Sequence, residues 1–168
     1  CGVALDLRDI PWASKQVWAP DCAEKDGKYY FFFPARDKDG FFRIGVATGD
    51  SPRGPFKAEP DYIPGTFSID PCIFEDTDKN YYLTFGGIWG GQLDKYRNNI
   101  YDEKNAEPTG STPAVCPKIA RMNSDLKTLS EEPRDLVITD ETGSPLTGGD
   151  HDRRYFEEDP IIFPRYFA

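Results

Sequence analysis

The feature that most limits what this chain can fold into is a recurring pattern of short aromatic runs separated by tight turns. Residues 28–33 read Lys-Tyr-Tyr-Phe-Phe-Phe, and residues 41–48 read Phe-Phe-Arg-Ile-Gly-Val-Ala-Thr. The turn sequence Asp37-Lys38-Asp39-Gly40 lies between them. Because two β-prone runs on either side of an Asp-Gly turn are typical of a hairpin, the sequence predicts one here.

The pattern recurs about 50 residues later. Residues 72–75 and 81–85 are β-prone, and the polar turn 76–80 separates them. The Tyr-Tyr pairs at 29–30 and 81–82 lie 52 residues apart, and the aspartates Asp21 and Asp70 lie 49 apart. A period near 50 built from short strands indicates the blades of a β-propeller. The sequence therefore predicts an all-β fold, in a single domain over residues 1–168.

The second half of the chain carries fewer signals of regular structure. Residues 86–115 are rich in Gly, Asn, Asp and Pro, and the composition predicts a long functional loop. Residues 116–122 read as a strand, and 134–139 as its partner. The segment 124–132 contains helix-forming residues, but Pro133 ends it, so no amphipathic helix is predicted.

Charge and cysteine content exclude several function classes. The net charge of −9 disfavours binding to nucleic-acid phosphates, whereas neutral sugars are not repelled. No apolar stretch is long enough to span a membrane. The four cysteines form no Cys-x-x-Cys pair and there is one histidine, so a zinc site is not supported. Cys22 and Cys72, which each follow an acidic motif at the start of an apolar run, are interpreted as buried free thiols on strands, with disulfides as the alternative.

Acidic residues stand next to the start of predicted strands in three motifs. These are Trp18-Ala19-Pro20-Asp21, Ser68-Ile69-Asp70-Pro71 and the segment 149–157, which reads Gly-Asp-His-Asp-Arg-Arg-Tyr-Phe-Glu. The innermost strands of propeller blades begin near the central channel, so such residues could converge on one pocket. Glycoside hydrolysis needs this convergence, because one carboxylic acid protonates the leaving oxygen while a carboxylate activates water or attacks the sugar. Alternatively, Asp70 and Asp21 could simply serve as turn residues.

Four motifs, in this order along the chain, resemble those of glycoside hydrolase family 43. They are Trp18-Ala19-Pro20-Asp21 before Gly27-Lys28-Tyr29-Tyr30, Gly45-Val46-Ala47-Thr48 with Ser51-Pro52-Arg53-Gly54-Pro55-Phe56, Ser68-Ile69-Asp70-Pro71 with Tyr81-Tyr82-Leu83, and His151-Asp152-Arg153-Arg154-Tyr155-Phe156-Glu157. Each motif alone has little specificity, but their shared order over nearly the whole chain is specific. The resemblance implies two to three four-stranded blades of a five-bladed propeller.

The resemblance also implies catalytic roles in an inverting hydrolysis. Asp70 would orient the general acid and raise its pKa, and Glu157 would be that acid. The chain continues Glu157-Glu158-Asp159-Pro160, one residue longer than the usual family spacing, so Glu158 is a competing candidate. The family's general base lies in a first blade that would precede Cys1, and Gly2-Val3-Ala4-Leu5 resembles the last strand of that blade. The blades after the acid are expected to be absent as well.

Further residues could contact the sugar. The candidates are Trp18, Asp21, Trp89, Arg153 and Arg154; the alternatives are core packing for the tryptophans, a turn for Asp21 and solvated charges for the arginines.

The expected activity is that of a β-xylosidase, α-arabinofuranosidase or arabinanase on xylan, arabinoxylan or arabinan, and the alternative is a non-catalytic carbohydrate-binding fragment.

Cofactors, partners and location can be predicted only in outline. No cofactor is expected, although some family members hold calcium in the channel, and Asp76-Thr77-Asp78 is interpreted as a hairpin turn rather than a calcium loop because it lacks the required Gly and Glu. Neither nucleic acid nor a membrane is expected as a partner. Uncovered blades predict a homo-oligomer. A secreted or periplasmic location is favoured.

Overall fold

The computed structural model describes residues 2–153, and over that range its regular structure consists of antiparallel strands and three short 3-10 segments. The strands, in chain order, are β1 (Ala13–Lys15), β2 (Asp21–Lys25), β3 (Lys28–Asp37), β4 (Phe42–Gly49), β5 (Lys57–Ala58), β6 (Ile69–Glu75), β7 (Tyr81–Gly86), β8 (Tyr96–Arg97), β9 (Ile100–Tyr101), β10 (Lys118–Arg121) and β11 (Arg134–Asp135). The 3-10 segments are Leu7–Asp9, Leu93–Lys95 and Gly148–Arg153. The predicted all-β class is confirmed.

The first sheet has the order β1-β3-β4-β5, and β2 pairs with β3. The predicted hairpin is its centre, with Arg36 opposite Phe42 in the register. The turn forms because the Asp37 carboxylate accepts hydrogen bonds from the backbone N–H groups of Asp39 and Phe41. Gly40, at φ 87°, supplies the left-handed residue that the turn needs.

The second sheet has the order β11-β10-β7-β6 and repeats the plan of the first. The hairpin between β6 and β7 turns through the predicted polar segment, where the backbone N–H of Lys79 donates to the carbonyl of Asp76. The outermost strand is shorter than predicted: β11 covers Arg134–Asp135 rather than residues 134–139.

The predicted long loop over residues 86–115 is only partly correct. It contains the 3-10 segment Leu93–Lys95 and the small hairpin of β8 and β9. Asn98 and Asn99 connect these strands with φ values of 50° and 60°, as the tightest hairpin turns require. Strands of two residues are too short to leave a recognisable alternation in the sequence.

The main core lies between the two sheets. Alternate residues of β3 point to opposite faces, so Phe32 packs towards Leu83 and Phe85 of the second sheet, while Phe33 lies in a separate cluster with Trp12. All except Trp12 are fully buried, and Trp12 is nearly so. Since burying one such side chain contributes about 1.5–3 kcal/mol, the two clusters explain why β3 is apolar on both faces from Tyr29 to Ala35.

Two expectations about the ends and cysteines need correction. Residues 2–5 form no strand; only the carbonyl of Ala4 accepts a hydrogen bond, from the backbone N–H of Phe56. Cys22, Cys72 and Cys116 are free thiols, but none is buried, and Cys22 is exposed because it lies on an innermost strand. Within residues 2–153 no helix is long and apolar enough to cross a membrane.

Candidate functional site

The innermost strands of the two sheets, β2 and β6, lie beside each other, and each has an aspartate at its start. Asp21 is the first residue of β2, and Asp70 is the second residue of β6. The two strands are joined directly, because Oδ2 of Asp21 accepts a hydrogen bond from the backbone N–H of Ile73 at 2.8 Å. The first two of the three predicted acidic motifs are therefore neighbours in the fold.

Asp21 uses both carboxylate oxygens on backbone groups. Besides the bond to Ile73, Oδ1 accepts from the backbone N–H of Cys22 at 2.8 Å. Charge-assisted bonds of this kind are the stronger protein hydrogen bonds. Asp21 is thus a link between the sheets, and its contact with sugar remains a prediction that would use the oxygens' remaining lone pairs.

Asp70 lies at an irregularity in the pairing of β6 with β7. The register shifts between Ile69 and Cys72, as at a β-bulge. Asp70 has φ 52°, and Ser68, two residues earlier, has φ 65°. Left-handed backbone of this kind is uncommon outside glycine and is concentrated at functional sites. The bulge therefore gives Asp70 a side-chain direction that a regular strand would not.

A short segment, residues 87–92, lies against Asp70, and we call it the glycine loop. A methyl group on Gly87 would lie 3.3 Å from Oδ2 of Asp70, so the loop backbone runs close to the carboxylate. The hydroxyl of Ser68 donates to the carbonyl of Gly87 at 2.7 Å and accepts from the backbone N–H of Gln92 at 3.1 Å. Oε1 of Gln92 accepts from the backbone N–H of Phe42 at 2.7 Å, which fastens the loop to the first sheet.

The same loop brings the two predicted tryptophans to the site. Trp89 is part of it, and a methyl group on Gly90 would lie 3.4 Å from Cζ3 of Trp18. Trp18 packs on Phe42, with ring centroids 4.8 Å apart. The two indoles are 38% and 39% exposed, so neither is a core residue and both offer ring surface to a ligand. Aromatic rings with one accessible side suit the apolar faces of sugars.

Trp89 is oriented by a second loop. Its Nε1–H donates to Oε2 of Glu107 at 3.3 Å. The segment after Glu107 is tied to the start of the predicted acid motif, because the backbone N–H groups of Gly148 and Gly149 donate to the carbonyls of Thr112 and Gly110. The chain that leads to the acid thus begins beside the loop that holds Trp89.

The remaining predicted site residues lie at or beyond the end of the described range. Arg153 is the last residue of the 3-10 segment Gly148–Arg153. Arg154, Glu157 and Glu158 lie outside the described residues. Their predicted roles, as sugar contact and as rival general acids, therefore remain predictions.

The described residues provide no cluster for a metal ion. Among residues 2–153, no group of three or more His, Cys, Asp or Glu side chains could hold one. The Asp76-Thr77-Asp78 segment is a hairpin turn in which the backbone N–H of Asn80 donates to Asp78. The side-chain and backbone N–H groups of Asn80 lower the pKa of the Asp78 carboxyl, as expected for a turn carboxylate that stays ionised.

Sequence reasoning missed the residues that assemble the site. Ser68, Gln92 and Glu107 act through contacts with residues 18 to 50 positions away, and no local pattern reveals such contacts. A signal did exist for Gly87, because a glycine-rich segment after a strand indicates close backbone approach.

Comparison with known proteins extends these observations. The sequence model of "Glycosyl hydrolases family 43" matches residues 2–146. "Xylosidase/arabinosidase 43A" of Humicola insolens is 54% identical over 163 residues, covering 93% of this chain and 50% of the relative. "Xylosidase/arabinosidase" of Bacteroides ovatus is 51% identical over 156 residues, covering 93% and 48%. The chain thus spans about half the length of the curated relatives it matches.

Solved structures give the same picture. The crystal structure of the GH43_1 enzyme from Xanthomonas citri complexed with xylose superimposes with a TM-score of 0.90 at 53% sequence identity. That match covers 94% of this chain and 48% of the other. The solved relatives are five-bladed β-propellers, so the two sheets described above are successive blades of part of such a propeller.

Proposed function

The chain belongs to glycosyl hydrolases family 43, and from this premise we propose that it contributes to an inverting glycosidase that removes pentose units from plant polysaccharides. The proposed substrates are xylan, arabinoxylan and arabinan, and the proposed activities are those of a β-xylosidase and α-arabinofuranosidase. The names of the relatives, which are xylosidase/arabinosidases, support this substrate class.

One observation carries the proposal for this part of the molecule. The glycine loop brings the strained Asp70 together with two half-exposed indoles, Trp18 and Trp89. A carboxylate beside accessible aromatic rings can bind a sugar by its hydroxyls and its apolar face at once. A carboxylate that only capped a turn would not require the glycine loop and two accessible indoles near it.

In the proposed mechanism, Asp70 acts on the general acid rather than on water. A negatively charged carboxylate near a second carboxyl disfavours ionisation of that second group, so its pKa rises and it keeps its proton. Glu157 then donates this proton to the glycosidic oxygen as the bond to the anomeric carbon breaks. Glu158 is the alternative acid. The chemistry uses carboxylates and water and requires no cofactor.

The general base must come from outside the residues assigned above. In an inverting enzyme this carboxylate removes a proton from the water that attacks the sugar on the face opposite the acid. The two carboxyl groups then lie about 6.5–9.5 Å apart, which leaves room for the water. We propose that the base is supplied by a part of the protein that precedes this sequence, or by another copy of the chain. Association of copies into a homo-oligomer is part of the same proposal, and a monodisperse monomer in light scattering would contradict it.

Hydrolysis of nitrophenyl β-xyloside and nitrophenyl α-arabinofuranoside by the purified chain tests the proposal, with Asp70→Asn as the control. Asparagine tolerates left-handed backbone, so the variant is expected to keep the fold while losing the charge. If the chain hydrolyses either substrate, the variant should be slower by a factor of roughly 10²–10⁴. Equal activity of the two proteins would contradict the role of Asp70.

A non-catalytic role in carbohydrate binding is the second candidate, and the accessible indoles of Trp18 and Trp89 favour it. It predicts that the folded chain binds xylotriose without hydrolysing either nitrophenyl substrate. Binding measured by titration calorimetry, together with the activity assay, separates the two functions.

A further inference from the structure

The hydroxyl of Ser68, near the candidate site, both donates and accepts a hydrogen bond. Its side chain is fully buried, and its backbone is left-handed at φ 65°. The hydroxyl donates to the carbonyl of Gly87 and accepts from the backbone N–H of Gln92, the first and last residues of the glycine loop. One side chain therefore closes the loop at both ends.

Through these two hydrogen bonds, Ser68 links three parts of the site. Ser68 is two residues from Asp70, and the loop that it holds passes Asp70 at Gly87, carries Trp89 and rests on Trp18 at Gly90. Gly87 is additionally fixed by the backbone N–H of Leu93, which donates to its carbonyl at 3.1 Å. By contrast, the only hydrogen bond described for the backbone N–H of Gln92 is the one to Ser68.

We propose that Ser68 is a positioning residue that sets the distance between Asp70 and the Trp18–Trp89 surface and thereby the affinity for pentose oligosaccharides. This inference rests on the proposed function. A ligand that contacts both a carboxylate and an aromatic ring loses affinity when the two move relative to each other, because the loop must then be ordered during binding. Ser68 itself is buried and does not touch the sugar.

The structure offers a matched control in Thr66. This residue is also fully buried, and its hydroxyl likewise donates to a carbonyl, that of Ile63, and accepts from a backbone N–H, that of Ile44. Its partners belong to the first sheet and the connection after it, not to the glycine loop. Thr66→Ala therefore removes buried hydrogen bonds of the same kind, including a 3.3 Å bond to the carbonyl of Ile44, and leaves those of the glycine loop in place.

The test compares Ser68→Ala, Ser68→Gly and Thr66→Ala with the unchanged chain. Hydrogen exchange of the amides of residues 87–93 reports on the loop, and titration with xylotriose and arabinotriose reports on affinity. Ser68→Gly is the second variant because glycine adopts the left-handed backbone freely, so this change removes the hydroxyl while relieving strain. It keeps the test decisive if Ser68→Ala does not fold.

We expect both Ser68 variants to exchange the loop amides faster and to bind the oligosaccharide about tenfold more weakly, since a buried hydrogen bond left unmade commonly corresponds to such a factor. Thr66→Ala is expected to lower the melting temperature as much as Ser68→Ala but to change affinity less than about twofold.

Two results would overturn the inference. If the Ser68 variants bind the oligosaccharide as tightly as the unchanged chain, Ser68 has no positioning role, and the proposed function is unaffected. If Thr66→Ala weakens binding equally, the effect belongs to general stability. A chain that binds neither oligosaccharide would instead refute the proposed function together with the affinity effect, while the exchange data would still decide whether Ser68 holds the loop.

Discussion

Asp21 and Asp70 lie at matching places in the first and second sheets, at the start of the innermost strand, but their surroundings differ. Asp21 has regular extended backbone, and both of its oxygens hold backbone N–H groups. Asp70 has left-handed backbone at a bulge and faces the glycine loop. The first aspartate fastens one blade to the next, whereas the second lies at a bulge against a loop, the position for which we propose a role in catalysis.

The difference extends to the whole of each sheet. The first sheet contains the two longest strands, β3 and β4, and most of their residues are buried. Around the second sheet, left-handed backbone is more frequent outside glycine: Ser68, Asp70, Lys79, Asn98, Asn99 and Leu126, against Gln16 and Asp26 around the first. Each such residue costs of order 1–3 kcal/mol, which the surrounding structure must offset. The same blade pattern is thus regular in one copy and irregular around the proposed site in the next.

The largest difference in stability between the two sheets is expected when a glycine is replaced by alanine. Gly87, just after β7 of the second sheet, and Gly40, in the turn between β3 and β4 of the first, have almost the same backbone, with φ values of 88° and 87°. A methyl group at Gly87 would lie 2.3 Å from Cγ1 of Ile69, whereas one at Gly40 would meet nothing within 4 Å. We expect Gly87→Ala to lower the free energy of unfolding by roughly 2–5 kcal/mol, and Gly40→Ala by about 1–2 kcal/mol, the backbone cost alone.

Urea denaturation of the two variants measures this difference directly. Gly40→Ala serves as the control, because it separates the cost of left-handed backbone from the cost of overlap with Ile69. Equal losses of stability would mean that the glycine loop is not packed tightly against the strand of Asp70.

The aspartates themselves give the next largest effect. In Asp21→Asn one of the two acceptor oxygens becomes an N–H₂ group, so either Cys22 or Ile73 loses its partner. We expect a loss of about 1–3 kcal/mol in the free energy of unfolding, as for hydrogen bonds to charged groups. Asp70→Asn should cost less than Asp21→Asn, because asparagine suits left-handed backbone.

Thermal and urea unfolding of both variants decide whether the division of roles is correct. The comparison would be reversed if Asp70→Asn were the more destabilising change. In that case Asp70, rather than Asp21, would be the structural link between the strands.

The sequence predicted those parts of the fold that local chemistry determines. The turn at Asp37–Gly40 is encoded by a carboxylate and a glycine three positions apart, and this local signal was enough to predict the hairpin. The spacing of the acidic motifs placed Asp21 and Asp70 on innermost strands. The family and the propeller class were predicted because several such motifs occur in a fixed order.

The parts that were not predicted depend on long-range contacts or on very short strands. The hydrogen bonds of Ser68 to residues 87 and 92 join positions 19 and 24 residues apart, and no pattern within either segment indicates these bonds. The hairpin at Asn98-Asn99 has two-residue strands, in which alternation cannot be seen. Cys22 was expected to be buried, but it lies on β2, an innermost strand with one unpaired edge, and it is exposed.

The smallest effect concerns the ion pair between the sheets. Nζ of Lys127, in the turn after β10, lies 2.7 Å from Oε1 of Glu59, just after β5. Hydrogen bonding to Glu59 raises the pKa of Lys127. In the second sheet alone, Lys79 and Glu75 form a longer pair of 3.4 Å, with Lys79 81% exposed against 39% for Lys127. The two pairs therefore compare a contact between sheets with one inside a hairpin.

We expect Lys127→Met to lower the free energy of unfolding by about 0.2–1 kcal/mol near pH 8, and the control Lys79→Met to have a smaller effect, because exposed pairs are screened by water and salt. Since the pKa of Lys127 is higher in the folded than in the unfolded chain, its contribution is fully present below the ordinary lysine pKa of about 10.4 and is lost as the pH rises through the folded value. Urea denaturation of both variants at about pH 8 and again above the folded pKa follows this loss. A difference between Lys127→Met and the unchanged chain that persists at the higher pH would contradict the assignment of the effect to the charge of Lys127.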